Sequence, residues 1–510
     1  MMPAPDHWLV VPIVLPLLAA ALLLLVERVR PAWQAAVSLA ATVALAALAF
    51  RLVASADTDR IGVYLLGNWQ APFGIVLVLD RLAAMMLALT AVIALASLAA
   101  ALRLAGRSPH FHVFFQLQLA GLNGAFLTGD VFNLFVFFEV LLIASYALLL
   151  HHADGRTLRV GLHYVVINLI GASLFLIAAS LLYGVAGTLN FADLAIKLPA
   201  LPAWDAGLAR AAALLLLAVF GIKAALLPLG FWLPATYGST SGPVAALFAI
   251  MTKVGIYAII RVSFTVFGGS DGWLADWGRP ALFALGLLTI VFGAMGALAT
   301  KRLVALVAYL VLISSGTLIA ASTLGPAALG GALYYLVHTT LAVASLFLIA
   351  HAIADQRGSR TDHFGGGPPL VQPTLLGLLF LIGAIAAAGL PPLSGFIGKV
   401  LMLQGSGRMP FAAWFWAAVL GSGLLATFAL ARAGGSVFWK THGAAVGLPM
   451  PTGERTAVAV LAVAGLLWVA GAGSAARYAT ATAQQLVQPR IYGDAVLGYA
   501  PVPPRAGSAP

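Results

Sequence analysis

Long apolar runs alternate with short polar or Gly/Pro-rich breaks from one end of the chain to the other. A helix needs about 20 apolar residues to cross a hydrocarbon core about 30 Å thick. Reading the breaks on that scale gives about fourteen spans: 9–26, 32–54, 81–103, 109–128, 130–150, 159–184, 208–233, 243–266, 280–300, 303–321, 327–354, 372–403, 409–433 and 456–473. The stretch 61–80, with its Gly, Pro and β-branched residues, predicts a short hairpin outside the membrane. Residues 190–207 are mixed and punctuated by proline, as a surface segment would be. The polar, Pro-rich tail after Ala475 reads as loosely held. The expected fold is an all-α polytopic membrane protein.

Composition narrows the class further. The chain is 510 residues long, 62% hydrophobic and 8% charged, which suits no soluble globular class. The N-terminal run MMPAPDHWLVVPIVLPLLAAALLLLVERVR lacks the basic start and small-residue cleavage site of a signal peptide, so it reads as the first spanning helix. There is no cysteine, and hence no disulfide, thiolate metal site or iron–sulfur ligand. The ten histidines do not pair at matching depth in separate spans, as a haem would require. A net charge of +11 is scattered singly between apolar runs without aromatic interleaving, which sets nucleic acid aside. No phosphate-cradling Gly-rich loop with a lysine, GxSxG elbow or HExxH motif occurs. The chain is therefore expected to be no enzyme, to hold no resident metal or cofactor, and to draw its drive from an ion gradient or a partner protein.

Basic residues set the orientation. The connections after odd-numbered spans carry thirteen: Arg28, Arg30, Arg103, Arg107, Arg156, Arg159, Lys301, Arg302, Arg357, Arg360, Arg432, Lys440 and Arg455. The opposite connections carry six: Arg51, Arg60, Lys197, Arg210, Arg279 and Arg408. The first set is expected to be cytoplasmic, and both termini external. Arg81 and Arg261 lie near span ends, where a long side chain reaches the interface. Asp80 and Arg81 read as a structural pair, and Asp130 as the cap of the fifth helix. His110, His112, His151, His152 and His163 read as a solvated rim, and His351 as ordinary surface.

The remaining ionisable groups lie deep. In GDVFNLFVFFEVLLIASYALLL, from Gly129 to Leu150, Glu139 falls about 13–14 Å along its helix, near the midplane. A charge there costs several kcal/mol, so it must protonate, pair or face water. Lys223 lies in AVFGIKAALLPLGFWLPATYG and Lys399 in AAAGLPPLSGFIGKVLML, each beside helix-breaking prolines: Pro228 in the first, Pro391 and Pro392 in the second. Interrupted helices of this kind mark ion sites in transporters. These are the seventh and twelfth spans, so they cross in opposite directions. Two inverted five-span units, 109–266 and 280–433, follow, flanked by an N-terminal region, 1–108, and a C-terminal region, 434–510. Lys253, in ALFAIMTKVGIYAII, has about ten apolar residues on either side. Burial disfavours its charge and a nearby carboxylate restores it, which is the physical basis of a proton relay. His338, in LYYLVHTTLAVASLFLIA, has Tyr334, Tyr335, Thr339 and Thr340 alongside and reads as a further relay group.

These motifs carry a family resemblance. GDVFNLFVFFEVLLIASYALLL, GIKAALLPLGFWLPATYGSTSGPVAALFAIMTKVGIYAIIRV and AAAGLPPLSGFIGK resemble the D subunit of Mrp-type multisubunit cation/proton antiporters. The likeness covers the core of about 110–433, which that family shares with membrane subunits of respiratory NADH:quinone oxidoreductase and membrane-bound hydrogenases. It implies fourteen helices, two inverted repeats each with a broken helix, and a hydrophilic axis. Glu139 and Lys223 would form the first half-channel, Lys253 and His338 the central relay, and Lys399 its end. It also implies exchange of cytoplasmic Na+, with Li+ or K+ as further candidates, for external H+, in the plasma membrane and with other membrane subunits as partners. The competing reading is a proton-pumping subunit of one of the redox enzymes. One stretch departs from the family pattern: KRLVALVAYLVLISSGTL displaces Tyr309 and Ser314–Ser315 from Lys301–Arg302, so no role is carried over to the tenth helix.

Overall fold

The structure, a computed structural model, describes residues 7–25, 31–58, 60–105, 110–151, 155–202, 204–268, 278–358 and 362–502. Arg28, Arg30, Arg107, Arg360 and His152 lie outside the described residues.

Two helices, α1 (Val11–Leu25) and α2 (Pro31–Ala56), lead into an antiparallel hairpin, β1 (Gly62–Leu65) with β2 (Val76–Leu79), in the register Gly62↔Leu79 to Leu65↔Val76. Helices α3 (Arg81–Ala105), α4 (Phe111–Leu127), α5 (Val131–Leu150) and α6 (Gly155–Ala186) follow, then a short α7 (Phe191–Lys197). The next two apolar stretches are interrupted: α8 (Ala206–Lys223) with α9 (Trp232–Tyr237), and α10 (Gly242–Phe248) with α11 (Met251–Arg261). Three continuous helices come next, α12 (Arg279–Ala299), α13 (Leu303–Ser322) and α14 (Pro326–Gln356). Another interrupted stretch, α15 (Pro373–Ala388) with α16 (Ser394–Ser406), precedes α17 (Ala412–Gly434), α18 (Thr452–Ala470), α19 (Ala472–Leu486) and α20 (Pro489–Leu497). Among the described residues, eleven helical stretches are long and apolar enough to cross a membrane, and α1 and α15 are shorter apolar helices. The chain is a mostly helical polytopic membrane protein.

Burial sorts these helices. The stretch Gly242–Val266 is 100% buried in its apolar window, and α13 and α14 are 89% buried, whereas α18 is 17% buried and turns leucines outward. An apolar helix buried inside the protein has nothing to gain from lipid, so small residues decide how closely its neighbours come. A Cβ added at Gly293 of α12 would lie 2.9 Å from the Ile313 nitrogen of α13.

Several expectations change. Within 190–207 the chain is not simply surface: Asn190 Oδ1 accepts from the Ala192 and Asp193 backbone at 3.0 and 3.3 Å, capping α7, and Phe191 to Leu194 are buried. The tail after Ala475 is not loose as far as Val502. Its small residues let α19 lie against α14, burying Ala479, Thr482 and Ala483. Beyond α20, Asn68 exchanges two 2.8 Å hydrogen bonds with the Val502 backbone.

Asp80 does not pair with Arg81, and Arg261 does not reach the interface. Arg261 is buried and forms a two-pronged ion pair with Asp80, Nη2 to Oδ1 at 2.7 Å and Nη1 to Oδ2. Its guanidinium also lies 5.2 Å from the Tyr257 ring and 5.7 Å from that of Tyr492 on α20. Burial raises the Tyr492 phenol far above its usual ionisation range, so it remains neutral beside the pair. Arg81 instead meets Asp57 at 3.5 Å. Helical periodicity cannot show such a pair, because its members are far apart in the chain. Asp130 does cap α5, accepting from the Asn133 nitrogen at 2.9 Å. His112 is buried rather than part of a rim. His351 is half-buried, with Nε2 2.9 Å from the Thr240 carbonyl, and so ties α14 to the loop before α10.

Candidate functional site

Glu139 sits midway along α5, partly buried, with Phe138 packed inward beside it. Lys223 is the last residue of α8, 7% exposed. The chain must leave the helix there, because Pro228 cannot continue it. The last carbonyls of α8 find partners: Phe220 O accepts from Ala224 N at 2.7 Å, Gly221 O from Leu226 N at 2.9 Å, and Ile222 O from the Trp232 indole at 3.1 Å. Lys223 Nζ donates to Asn168 Oδ1 on α6 at 2.8 Å. Glu139 and Lys223 feel each other's charge. Among the described residues, however, they form no direct ion pair.

Lys253, 1% exposed, stands at the start of α11 just after the turn at Ala249 and Ile250. Its Nζ donates to Ser314 Oγ on α13 at 2.8 Å. Thr252 and Ser315 add two fully buried hydroxyls next to this pair in sequence.

The second proline break holds two bases at one helix end. Gly389, at φ 74°, ends α15 in the left-handed region that favours glycine. Lys399 Nζ donates to Ala388 O at 2.7 Å, and His338 Nε2 lies 3.1 Å from Ala386 O. A carbonyl only accepts, so Nε2 carries the proton there. The neutral ring's Nδ1 then accepts from Ser394 Oγ, 2.7 Å away. Both basic groups thus meet the carbonyl end of α15, where the helix dipole favours positive charge. Gly395 makes room, since a Cβ there would lie 2.6 Å from His338 Nε2.

Glu139, Lys223, Lys253, His338 and Lys399 all lie on apolar helices, and each base stands beside an oxygen that can accept its hydrogen bond. Residues 128–426 match the family described as NADH:quinone oxidoreductase/Mrp antiporter, transmembrane. The D subunit of a probable K+/H+ antiporter of Rhizobium meliloti (strain 1021) is 43% identical over 99% of both chains. The D subunit of the Na+/H+ antiporter of Bacillus subtilis (strain 168) is 34% identical over 96% of this chain and 99% of its own. The chain belongs to the NADH:quinone oxidoreductase/Mrp antiporter family. In structure it is similar to a chain of the Mrp complex from Dietzia sp. DQ12-45-1b, with TM-score 0.86 and 25% identity over 97% of this chain and 100% of that one.

For this member of the Mrp antiporter family, the sequence reading missed the acceptors. Asn168 left a signal, a lone amide in the apolar run VVINLIGASLF. Ser314 lies in the very stretch of the tenth span that departs from the family pattern, yet it meets Lys253. The Ala386 and Ala388 carbonyls have no side-chain identity to betray them.

Proposed function

We propose that this chain is the proton-translocating D subunit of a multisubunit monovalent cation/proton antiporter, a secondary transporter rather than an enzyme. It exchanges cytoplasmic Na+ or K+ for external H+ across the bacterial plasma membrane alongside other membrane subunits. The observation that carries this is the end-to-end likeness to D subunits named for Na+/H+ and K+/H+ antiport. The buried ionisable set supports it: Glu139 and Lys223 take up the proton, Lys253 and His338 pass it on, and Lys399 releases it. On this reading the chain crosses the membrane fourteen times, as the eleven long stretches together with α1, α4 and the α15–α16 pair. The interrupted helices α8–α9 and α15–α16 would be counterparts in two inverted repeats, 109–266 and 280–433. The regions 1–108 and 434–510 would flank them, with the hairpin and both termini external.

The test uses inverted vesicles from an antiporter-deficient host expressing the chain with its gene neighbours. A proton gradient is set up, Na+ or K+ is added, and fluorescence follows its collapse. Collapse with the wild type and none with Glu139→Ala at equal assembly is expected. No cation response, with acidification driven by NADH instead, would favour the respiratory reading that the family description also covers.

A further inference from the structure

Lys223 rests on a residue outside the five, and the surroundings of that residue fix how it does so. Asn168 is 1% exposed. Its Nδ2 donates to the Tyr164 carbonyl one turn earlier at 2.8 Å, which leaves Oδ1 aimed at Lys223 Nζ. Flipping the amide would set its N–H groups against the ammonium and its oxygen against a carbonyl, losing both bonds. Three residues on, Gly171 borders the same ammonium; a Cβ there would lie 3.8 Å from Nζ. Tyr164 Oη and Ser145 Oγ, 3.0 Å apart, tie this face of α6 to α5, the helix of Glu139. Tyr164, Asn168 and Gly171, spaced i, i+4 and i+7, therefore line one side of α6 between the carboxylate helix and the lysine helix.

We infer that Asn168 is a positioning residue that gives the Lys223 ammonium a second resting place, away from Glu139. This rests on the reading of Glu139 and Lys223 as relay groups. A neutral amide satisfies an ammonium hydrogen bond without the full charge of a carboxylate. Lys223 can thus leave Glu139 without standing unsatisfied in an apolar interior, and Glu139 is free to take up a proton. With Glu139 as the sole acceptor, the ammonium would stay in an ion pair and hold its proton. Among the described residues, Glu139 on α5 is the carboxylate whose charge acts on Lys223. Asn168 faces it from α6, and α11 approaches through the uncharged Gly255, next to the Lys223 backbone.

The full chain, expressed with the other subunits, is assayed in inverted vesicles across a pH series with Na+ and with K+, and its membrane level is measured by immunoblot. Asn168→Leu removes the acceptor. It should lower exchange about tenfold at neutral pH, the scale of losing one hydrogen bond to a charged group. The active pH range should also move alkaline by about one unit, because an ammonium paired with a carboxylate gives up its proton at higher pH. Asn168→Gln should keep the wild-type profile, and Asn168→Asp should move further alkaline than Asn168→Leu. Wild-type rate and profile in Asn168→Leu would overturn the inference, as would equal losses in the Leu and Gln variants with an unmoved profile. If the Leu variant fails to assemble, a wild-type pH profile in Asn168→Asp overturns it. Full exchange in Glu139→Ala would sink the relay reading itself. Exchange lost in Glu139→Ala but untouched in Asn168→Leu would sink this inference alone.

Discussion

Lys223, Lys253 and Lys399 donate to Asn168 Oδ1, Ser314 Oγ and Ala388 O, all neutral oxygens. A neutral acceptor holds an ammonium less firmly than a bonded carboxylate would, and a carboxylate would favour the charged form. If Lys253 carries protons, it must be able to lose one. Lys253→Arg should therefore impair exchange nearly as badly as Lys253→Ala, since arginine stays charged. Near-normal cation-driven collapse of the proton gradient in the arginine variant would count against shuttling there. Ser314→Ala should also depress exchange, because a hydrogen bond to a charged group is worth about 1.5–3 kcal/mol. Ser314→Thr, which keeps the hydroxyl, should retain most of it in the same assay. The depth and identity of these bases were legible in the sequence, because a charge within an apolar run stands out. Their partners were not, since each partner lies on a different helix or on the backbone.

At the scale of elements, the breaks do the positioning. Prolines end α8 and α15 just where Lys223 and the Ala388 carbonyl are needed. Sequence pattern located both breaks through Pro228, Pro391 and Pro392. It did not locate the turn at Ala249–Ile250, shortly before Lys253, because neither residue disfavours a helix strongly. Beyond that turn, a Cβ at Gly255 would lie 2.6 Å from the Lys223 carbonyl carbon, so α11 approaches the end of α8 through a residue with no side chain. Gly395→Ala tests the second break. The new methyl would displace the His338 ring from Ala386 O, and ångström-scale misplacements of this kind cost on the order of 100-fold in rate. Vesicle exchange should fall while the amount of assembled complex holds. Unchanged exchange would mean that His338 needs no fixed place at the end of α15.

Across the whole molecule, the Asp80–Arg261 pair joins the start of α3 to the end of α11, with Tyr492 of α20 beside it. Arg261 is bound further, its Nε donating to Tyr257 Oη at 3.2 Å, while that hydroxyl donates to the Phe126 carbonyl at 2.7 Å. Removing one partner of a buried pair leaves the other charge uncompensated, at a cost of about 3–5 kcal/mol. Asp80→Ala should lower the melting temperature of the detergent-solubilised complex markedly, and Asp80→Leu combined with Arg261→Met should recover much of it. A single variant as stable as wild type would show that the pair holds nothing together. Ending the chain after Gly471 should likewise destabilise it, because α19 and α20 bury Ala483, Leu486 and Val496. A loose tail would leave the melting temperature unmoved.

What the sequence determined by itself is what a bilayer makes expensive. Spans of about 20 apolar residues show the bilayer itself, while prolines inside them and ionisable groups at mid-depth carry costs of several kcal/mol that composition cannot hide. Glu139, the three lysines, His338 and the membrane class were legible for that reason. Tertiary structure alone decided which oxygen each amine meets, that Asp80 turns to Arg261 rather than Arg81, and that the tail packs. Those choices depend on contacts between residues distant in the chain, on backbone carbonyls common to every residue type, and on small residues that let helices close. Their energies are differences between neighbours in space, which no periodicity along the chain records.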